Sequence, residues 1–393
     1  MAGAGRGIPS LTGVRGIAAV WVFLSHFYGL AAWVLAAPSL LHSVFLFNGF
    51  RGVDLFFVLS GFILMHVHAD QFSSIRRDDL RQFFLARFFR VYPLNTAMLL
   101  AMLVVVVLLP GYVATERSWT DPHAAYRAQN LSFPGFVQTL LLVQSWTVLK
   151  LGEWNIVSWT LSAEVLGYLL FPAMAWGLMR ERSASRCVLY AVLSLVVLTA
   201  ILFVAHHANN NPTGTFGSIR MIFCFLAGIA LNRAYQIAGD RWVPAAVPMT
   251  VAACLFLLMT WFVPVLPVLD VFGFAALILG LAYQRGPIDA MLSSKLAISL
   301  GRISFSFYLV HFMIIKLVSW SAGEWLAMQS LSVRIAGLCG VVLMCLVAGI
   351  VCYRLVEQPS QRLGRKVTAG YRVTIERRGD RKRLALPLGA AGD

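Results

Sequence analysis

Charge is what this sequence has least of: only 12% of its 393 residues are Asp, Glu, Lys or Arg, about half the share of a soluble domain. A chain so poor in ionic groups is excluded from the ordinary soluble enzymes. Acidic residues are the scarcer sign, 17 against 32 basic ones, for a formal net charge of +15. Cysteine is sparse too, with six residues, Cys187, Cys224, Cys254, Cys339, Cys345 and Cys352. None forms a CxxC pair, so neither a disulfide framework nor a metal site is expected. No repeat of fixed period is present.

What fills the space is apolar, 59% of the residues, in runs close to the 20 that cross about 30 Å of hydrocarbon at about 1.5 Å per residue. Ten such runs are read, at 14–36, 52–68, 92–109, 157–178, 187–205, 218–233, 243–262, 267–284, 302–321 and 333–355. An eleventh apolar stretch, Phe136 to Val148, is broken by Gln138, Gln144 and Ser145 and is too short to span, so it is interfacial or re-entrant. The first run is too long for a signal-peptide core and carries Ser25 and His26 inside it. An all-α, polytopic membrane protein of about ten helices follows.

Lys and Arg distribution orients it, because short cytoplasmic loops carry the excess of both. With the N-terminus inside, Arg76, Arg77 and Arg81, then Arg180, Arg182 and Arg186, then Arg233, Arg241, Arg285 and Lys295 all fall on the inner side. The outer loops HHANNNPTGTFG, PVLP and SAGEWLAMQSLS hold no Lys or Arg. Both termini are therefore expected in the cytoplasm, with a membrane domain over 1–360 and a basic tail over 361–393. The tail, with Arg377, Arg378, Arg381, Lys382 and Arg383, suits anionic lipid. Nucleic acid is not an expected partner, since no folded module accompanies the charges.

Ionisable groups at membrane depth cost several kcal/mol and are functional candidates by default. His26 lies about 12 residues into the first run, roughly 18 Å deep, and Glu164 about 10 Å below the other boundary, which places the two at nearly one depth. An acid–base pair is the expectation. Asp54 enters the second run, where pairing with Arg51 is the bland alternative. Ser162 precedes Glu164 by two residues, and Tyr308 and His311 lie together in SFSFYLVH. Interhelical hydrogen bonding is the plain reading of each of these polar groups. His66 and His68 flank the inner mouth and need no role.

Four arginines form a second group: Arg15, Arg87, Arg90 and Arg302, all at the inner boundary. A spacing of three puts Arg87 and Arg90 on one helix face, and guanidinium groups suit bidentate phosphate binding. Snorkelling explains any one of them singly. Converging beneath a buried histidine, they suggest an anionic cytoplasmic ligand.

The ordered motifs LTGVRGIAAVWVFLSHF, GVDLFFVLSGFIL, RFFRVYP, WTLSAEVLGY and GRISFSFYLVH, over residues 10–360, resemble the acyltransferase-3 family of integral membrane acyltransferases. Its Arg-x10-His element falls on Arg15 and His26, its Arg-x-x-Arg element on Arg87 and Arg90, and its Ser-x-Glu element on Ser162 and Glu164. The resemblance implies a bacterial inner-membrane enzyme with acetyl-CoA as the usual donor and a carbohydrate or lipid-linked glycan as acceptor. On that view Arg15, Arg87, Arg90 and Arg302 hold coenzyme A, while Ser162, Tyr308 and His311 meet substrate. His26 acts as general base, with Glu164 orienting it and Asp54 nearby, and an acyl-His intermediate is the open variant. Some relatives carry an esterase-like domain after the membrane part, and the short basic tail here leaves no second centre expected. Trp119, Trp146 and Trp154 are available for sugar stacking. A proton-coupled transporter or flippase using His26 and Glu164 as relay is the alternative, disfavoured by the lack of paired broken helices. A non-catalytic partner of a polysaccharide export complex is a third reading.

Overall fold

The computed structural model describes residues 7–37, 39–40, 43–109, 131–147, 154–205, 214–262 and 269–369. Trp119 and the basic cluster at 377–383 lie outside the described residues. Every regular element among those described is helical. The first six are α1 (Pro9–Val34), α2 (Val44–Phe47), α3 (Gly52–His68), α4 (Arg77–Leu108), α5 (Phe133–Leu141) and α6 (Trp159–Met179). There follow α7 (Ala184–Val204), α8 (Gly214–Ala238), α9 (Val243–Phe262), α10 (Asp270–Ala282), α11 (Gly286–Leu292), α12 (Lys295–Ala327) and α13 (Leu331–Cys352). A π-turn, Tyr353–Glu357, carries α13 on into a helical extension that ends at Ala369.

Serine sets several helix starts. Ser132, Ser183 and Ser294 each accept the backbone N–H three residues on, capping α5, α7 and α12. Pro9 opens α1, where its missing N–H costs nothing.

Each of the ten apolar runs is helical in the structure. Among the described residues eight helical stretches are long and apolar enough to cross a membrane, and the pair α10 and α11, bent by 88°, makes a ninth. One of the eight, Thr215–Trp261, has 47 residues, which at about 1.5 Å each is more than twice the hydrocarbon thickness. It divides at the 3-10 turn Gly239–Trp242, where Gly239 takes a left-handed φ of +52°. Thr260 near the end of α9 donates to Asp270, which binds Arg51, and three residues on Asp54 binds Arg220 near the start of α8, so the far end of α9 returns to the level where α8 begins. That arrangement makes α8 and α9 two passes, and the count returns to ten.

The stretch at 136–148 is no span. Its helix, α5, has nine residues and stops at Leu142, whose φ of +57° turns the chain back. The segment after it is held inside the bundle: Ser145 N–H donates to Ser162 Oγ at 3.0 Å, and Ser218 Oγ donates to the Ser145 carbonyl at 2.8 Å. A re-entrant piece fixed between α6 and α8 is the result.

The bundle is organised by two close crossings, α1 against α12 and α3 against α8. At the second, a Cβ on Gly61 would meet the Phe225 carbonyl and one on Gly228 the Val58 carbonyl. Small residues let the backbones touch, as helix pairs in lipid require. At the first, Gly301 abuts the Thr12 carbonyl in the same way.

Candidate active site

A cavity of about 410 Å³ opens beside α3, within the size range of small-molecule sites. Val53, Phe56, Ser60, Ile63 and Val67 line it at spacings of three and four, so it follows one face of that helix. From Val53 to His68 the face is about 22 Å long. The other walls come from α4, α6, α12 and the extension beyond α13.

One end is rich in arginine. Arg15 from α1, Arg87 and Arg90 from α4 and Arg365 from the extension all line the cavity, against a single carboxylate, Glu164. The helix α4 starts 15 residues before the run at 92–109, so Arg87 and Arg90 ride on a continuous helix and do share a face. None of Arg15, Arg87 and Arg90 joins an ion pair among the described residues. Arg87 lies over the rings of Phe83 and Tyr168 at 5.8 Å from each centroid, and Arg90 over Phe305 at 5.6 Å. The Nε of Arg87 is buried with no acceptor. Glu164 accepts from Ser60 Oγ at 3.1 Å and shares the field of the three arginines with Tyr168. A second carboxylate, Glu357, stands behind Arg90 and Arg15, held by Ser306 Oγ at 2.6 Å and Gln361 Nε2 at 2.9 Å. Excess positive charge with low-dielectric walls focuses its field into the opening.

Tyr308 also lines the cavity, its hydroxyl donating to the Val157 carbonyl at 3.2 Å and lying 3.1 Å from Thr160 Oγ1, while His26 and His311 stand outside the lining. The Tyr308 ring centroid is 5.7 Å from that of His311. His311 is fully buried, and its Nε2 is 3.0 Å from Nδ1 of His26. His26 is half-buried, edge-on to Phe312, and feels the charge of Lys316.

The structure thus gives His26 a different partner from the one expected. His311 faces it, while Glu164 belongs to the arginine end. Depth along two helices does not say which helices are neighbours: α1 packs on α12, whereas α6 packs mainly on α8 and also touches α3 and α4. Arg302 is also displaced from its expected place, being exposed and outside the cavity lining. Arg365 and Gln361 line it instead, residues that the sequence assigns to the tail. Asp54 pairs with Arg220, through Nε at 3.0 Å and Nη2 at 2.8 Å, and not with Arg51, which is bonded to Asp270. Arg220 and Asp270 passed unnoticed, although each is a charge inside an apolar run. Ser162 is fully buried, and its hydroxyl receives the Ser145 N–H.

Residues 8–354 match the model of a family described as an acyltransferase domain. The chain is similar to Acyltransferase MdmB of Streptomyces mycarofaciens, with 29% identity over 91% of this chain and 92% of that protein. It is also similar to Peptidoglycan O-acetyltransferase OatA of Listeria monocytogenes, 24% identical over 79% of this chain, and to O-acetyltransferase OatA of Staphylococcus aureus, 23% identical over 93% of it. The matches cover 50% and 59% of those two longer proteins. No solved structure matches.

Proposed function

The chain belongs to the acyltransferase-3 family, and we propose that it moves an acyl group from a coenzyme A thioester to a hydroxyl of a carbohydrate or lipid-linked glycan. The observation that carries the donor is the arginine end: three guanidinium groups without ion-pair partners, one with a buried N–H that no protein atom accepts. Phosphates of coenzyme A supply such acceptors, two at a time to a planar guanidinium. The length of the cavity also fits, since a near-extended pantetheine arm reaches on the order of 15–20 Å along a face of about 22 Å.

Arg15, Arg87 and Arg90 hold the phosphates in this reading, and Arg365 adds a fourth cation at the opening. On this reading the opening faces the cytoplasm of a bacterium, as the one-sided Lys and Arg distribution supports, and the acceptor arrives from the other side of the inner membrane. Acetyl is the group transferred, in keeping with the two relatives named as O-acetyltransferases. Beyond Tyr308, His26 acts as general base. Its ring takes the proton of the acceptor hydroxyl as the oxygen bonds to the acyl carbon, and returns it to sulfur as the C–S bond breaks. Ester and free thiol are the products. Membership in an acyltransferase family weighs against the carrier alternative, and no geometric feature favours it.

Purified protein given acetyl-CoA and membranes from the producing cells should release free coenzyme A thiol and leave alkali-labile acetyl groups on the membrane fraction. Acetyl-CoA left unconsumed, or full transfer by His26→Ala, would sink the reading. Trapping labelled protein with the donor alone would instead favour an acyl-His step.

A further inference from the structure

An imidazole can act as base only through a nitrogen that carries a lone pair, so the tautomer of His26 decides which of its atoms reacts. Two contacts set that tautomer. The Phe307 carbonyl lies 3.2 Å from Nδ1 of His311, and a carbonyl oxygen only accepts, so His311 carries its proton on Nδ1. With the ring neutral, Nε2 of His311 is then a lone pair. That lone pair faces Nδ1 of His26 at 3.0 Å, so His26 must donate from Nδ1, and its own Nε2 is left bare. Nε2 of His26 has no hydrogen-bond partner among the described residues, yet it is not one of their sealed, unpartnered polar atoms. It therefore faces open space.

We propose that His311 is a positioning residue: the relay Phe307 carbonyl, His311, His26 locks His26 as the Nδ1–H tautomer and presents Nε2 as the base. The role rests on the reading of His26 as base given above. It is the part played elsewhere by a carboxylate behind a catalytic histidine, assigned here to a second imidazole anchored on a backbone carbonyl. Glu164, which accepts from Ser60 at the arginine end, is released from that duty. The geometry holds because both rings sit on the tightest helix pair of the fold, α1 with α12. The ring of Phe23 meets His311 edge-on at 6.0 Å, and that of Phe307 stacks on it at 5.9 Å. The two phenyl rings, 5.3 Å from each other, form one wall against the His311 ring.

The test uses membranes carrying the full chain and its native acceptors, with [14C]acetyl-CoA as probe and alkali-labile label as readout. Replacing His311 by Leu removes the imidazole acceptor for His26 Nδ1–H and leaves only the Val22 carbonyl one turn back, and the rate at saturating acetyl-CoA should fall roughly 10- to 100-fold, part of the ~10²–10⁴ that a general base contributes. The KM for acetyl-CoA should stay within about two-fold, because the arginine end is untouched, and this also reports a folded protein. His311→Gln restores a carbonyl oxygen near the position of Nε2, and should recover most of the rate. Wild-type rate in His311→Leu overturns the proposal. So does a His311→Gln variant as slow as His311→Leu when both bind acetyl-CoA normally. Full activity in His26→Ala identifies a different failure, that of the base assignment itself.

Discussion

Arg220 grips Asp54 through two charge-assisted hydrogen bonds, Nε to Oδ1 at 3.0 Å and Nη2 to Oδ2 at 2.8 Å, across the crossing of α3 and α8. Both side chains are buried. Three residues earlier, Arg51 binds Asp270 at the start of α10, and Thr260 of α9 donates to the same carboxylate. Two fully paired ion bridges thus fasten one end of α3 to three other helices.

Removing one partner of a buried pair costs about 3–5 kcal/mol because it strands the other charge. Asp54→Ala and Arg220→Ala should each lower the thermal midpoint in detergent sharply, while the double variant should lose much less than the sum. Additive losses would show that the pair is not the unit.

The arginine end makes a different kind of forecast, one about affinity. Arg87→Ala and Arg90→Ala should each raise the KM for acetyl-CoA roughly 10- to 100-fold, the equivalent of about 1.5–3 kcal/mol for a hydrogen bond to a charged group. Arg302→Ala, on an exposed residue outside the cavity, should leave it unchanged. Equal effects at all three positions would mean that general surface charge, and not the cavity, attracts the donor.

Ser162 separates architecture from chemistry. Its hydroxyl accepts the Ser145 N–H and anchors the re-entrant segment. Ser162→Ala should therefore cost about 1–3 kcal/mol of stability by orphaning that donor, with turnover of the folded fraction within two-fold, as expected for a residue outside the chemistry. Lost turnover at full stability would return the hydroxyl to the substrate.

Gly61→Ala forces a methyl group into the Phe225 carbonyl and should cost about 1–3 kcal/mol by overpacking. Gly340→Ala is the control, since no atom lies within reach of a Cβ there. Thermal unfolding of the two variants compares them directly. A tolerant Gly61 would mean that α3 and α8 slide apart easily.

The long helices were readable in the sequence because each contains an apolar run recognisable by its length. The run at Val243–Phe262 matches its helix end to end, and the shortness of the 136–148 stretch pointed to a segment that does not span. The site was readable only in part, for a reason of dimension. Sequence gives depth along each helix, but adjacency comes from packing. His26 and Glu164 share a depth by counting, yet α1 chose α12 through Gly301 and Thr12, which delivered His311. The same limit hid Arg365, which lies on the helical extension that continues α13 through the π-turn Tyr353–Glu357, past the end of the apolar run. Arg220 and Asp270 were legible by their cost in an apolar run and were overlooked.

A cavity that reaches along most of a membrane-spanning helix raises the problem of leakage. Water standing about 22 Å deep beside α3 would leave a thin barrier for small ions driven by a transmembrane potential. The four guanidinium groups around the opening answer part of it, because a ring of fixed positive charge repels cations as it does in anion-selective pores. Tyr308, bonded to the Val157 carbonyl, is a further lining side chain held in place. A site built to take a polyanion, as proposed, would by the same charges resist the passage of cations.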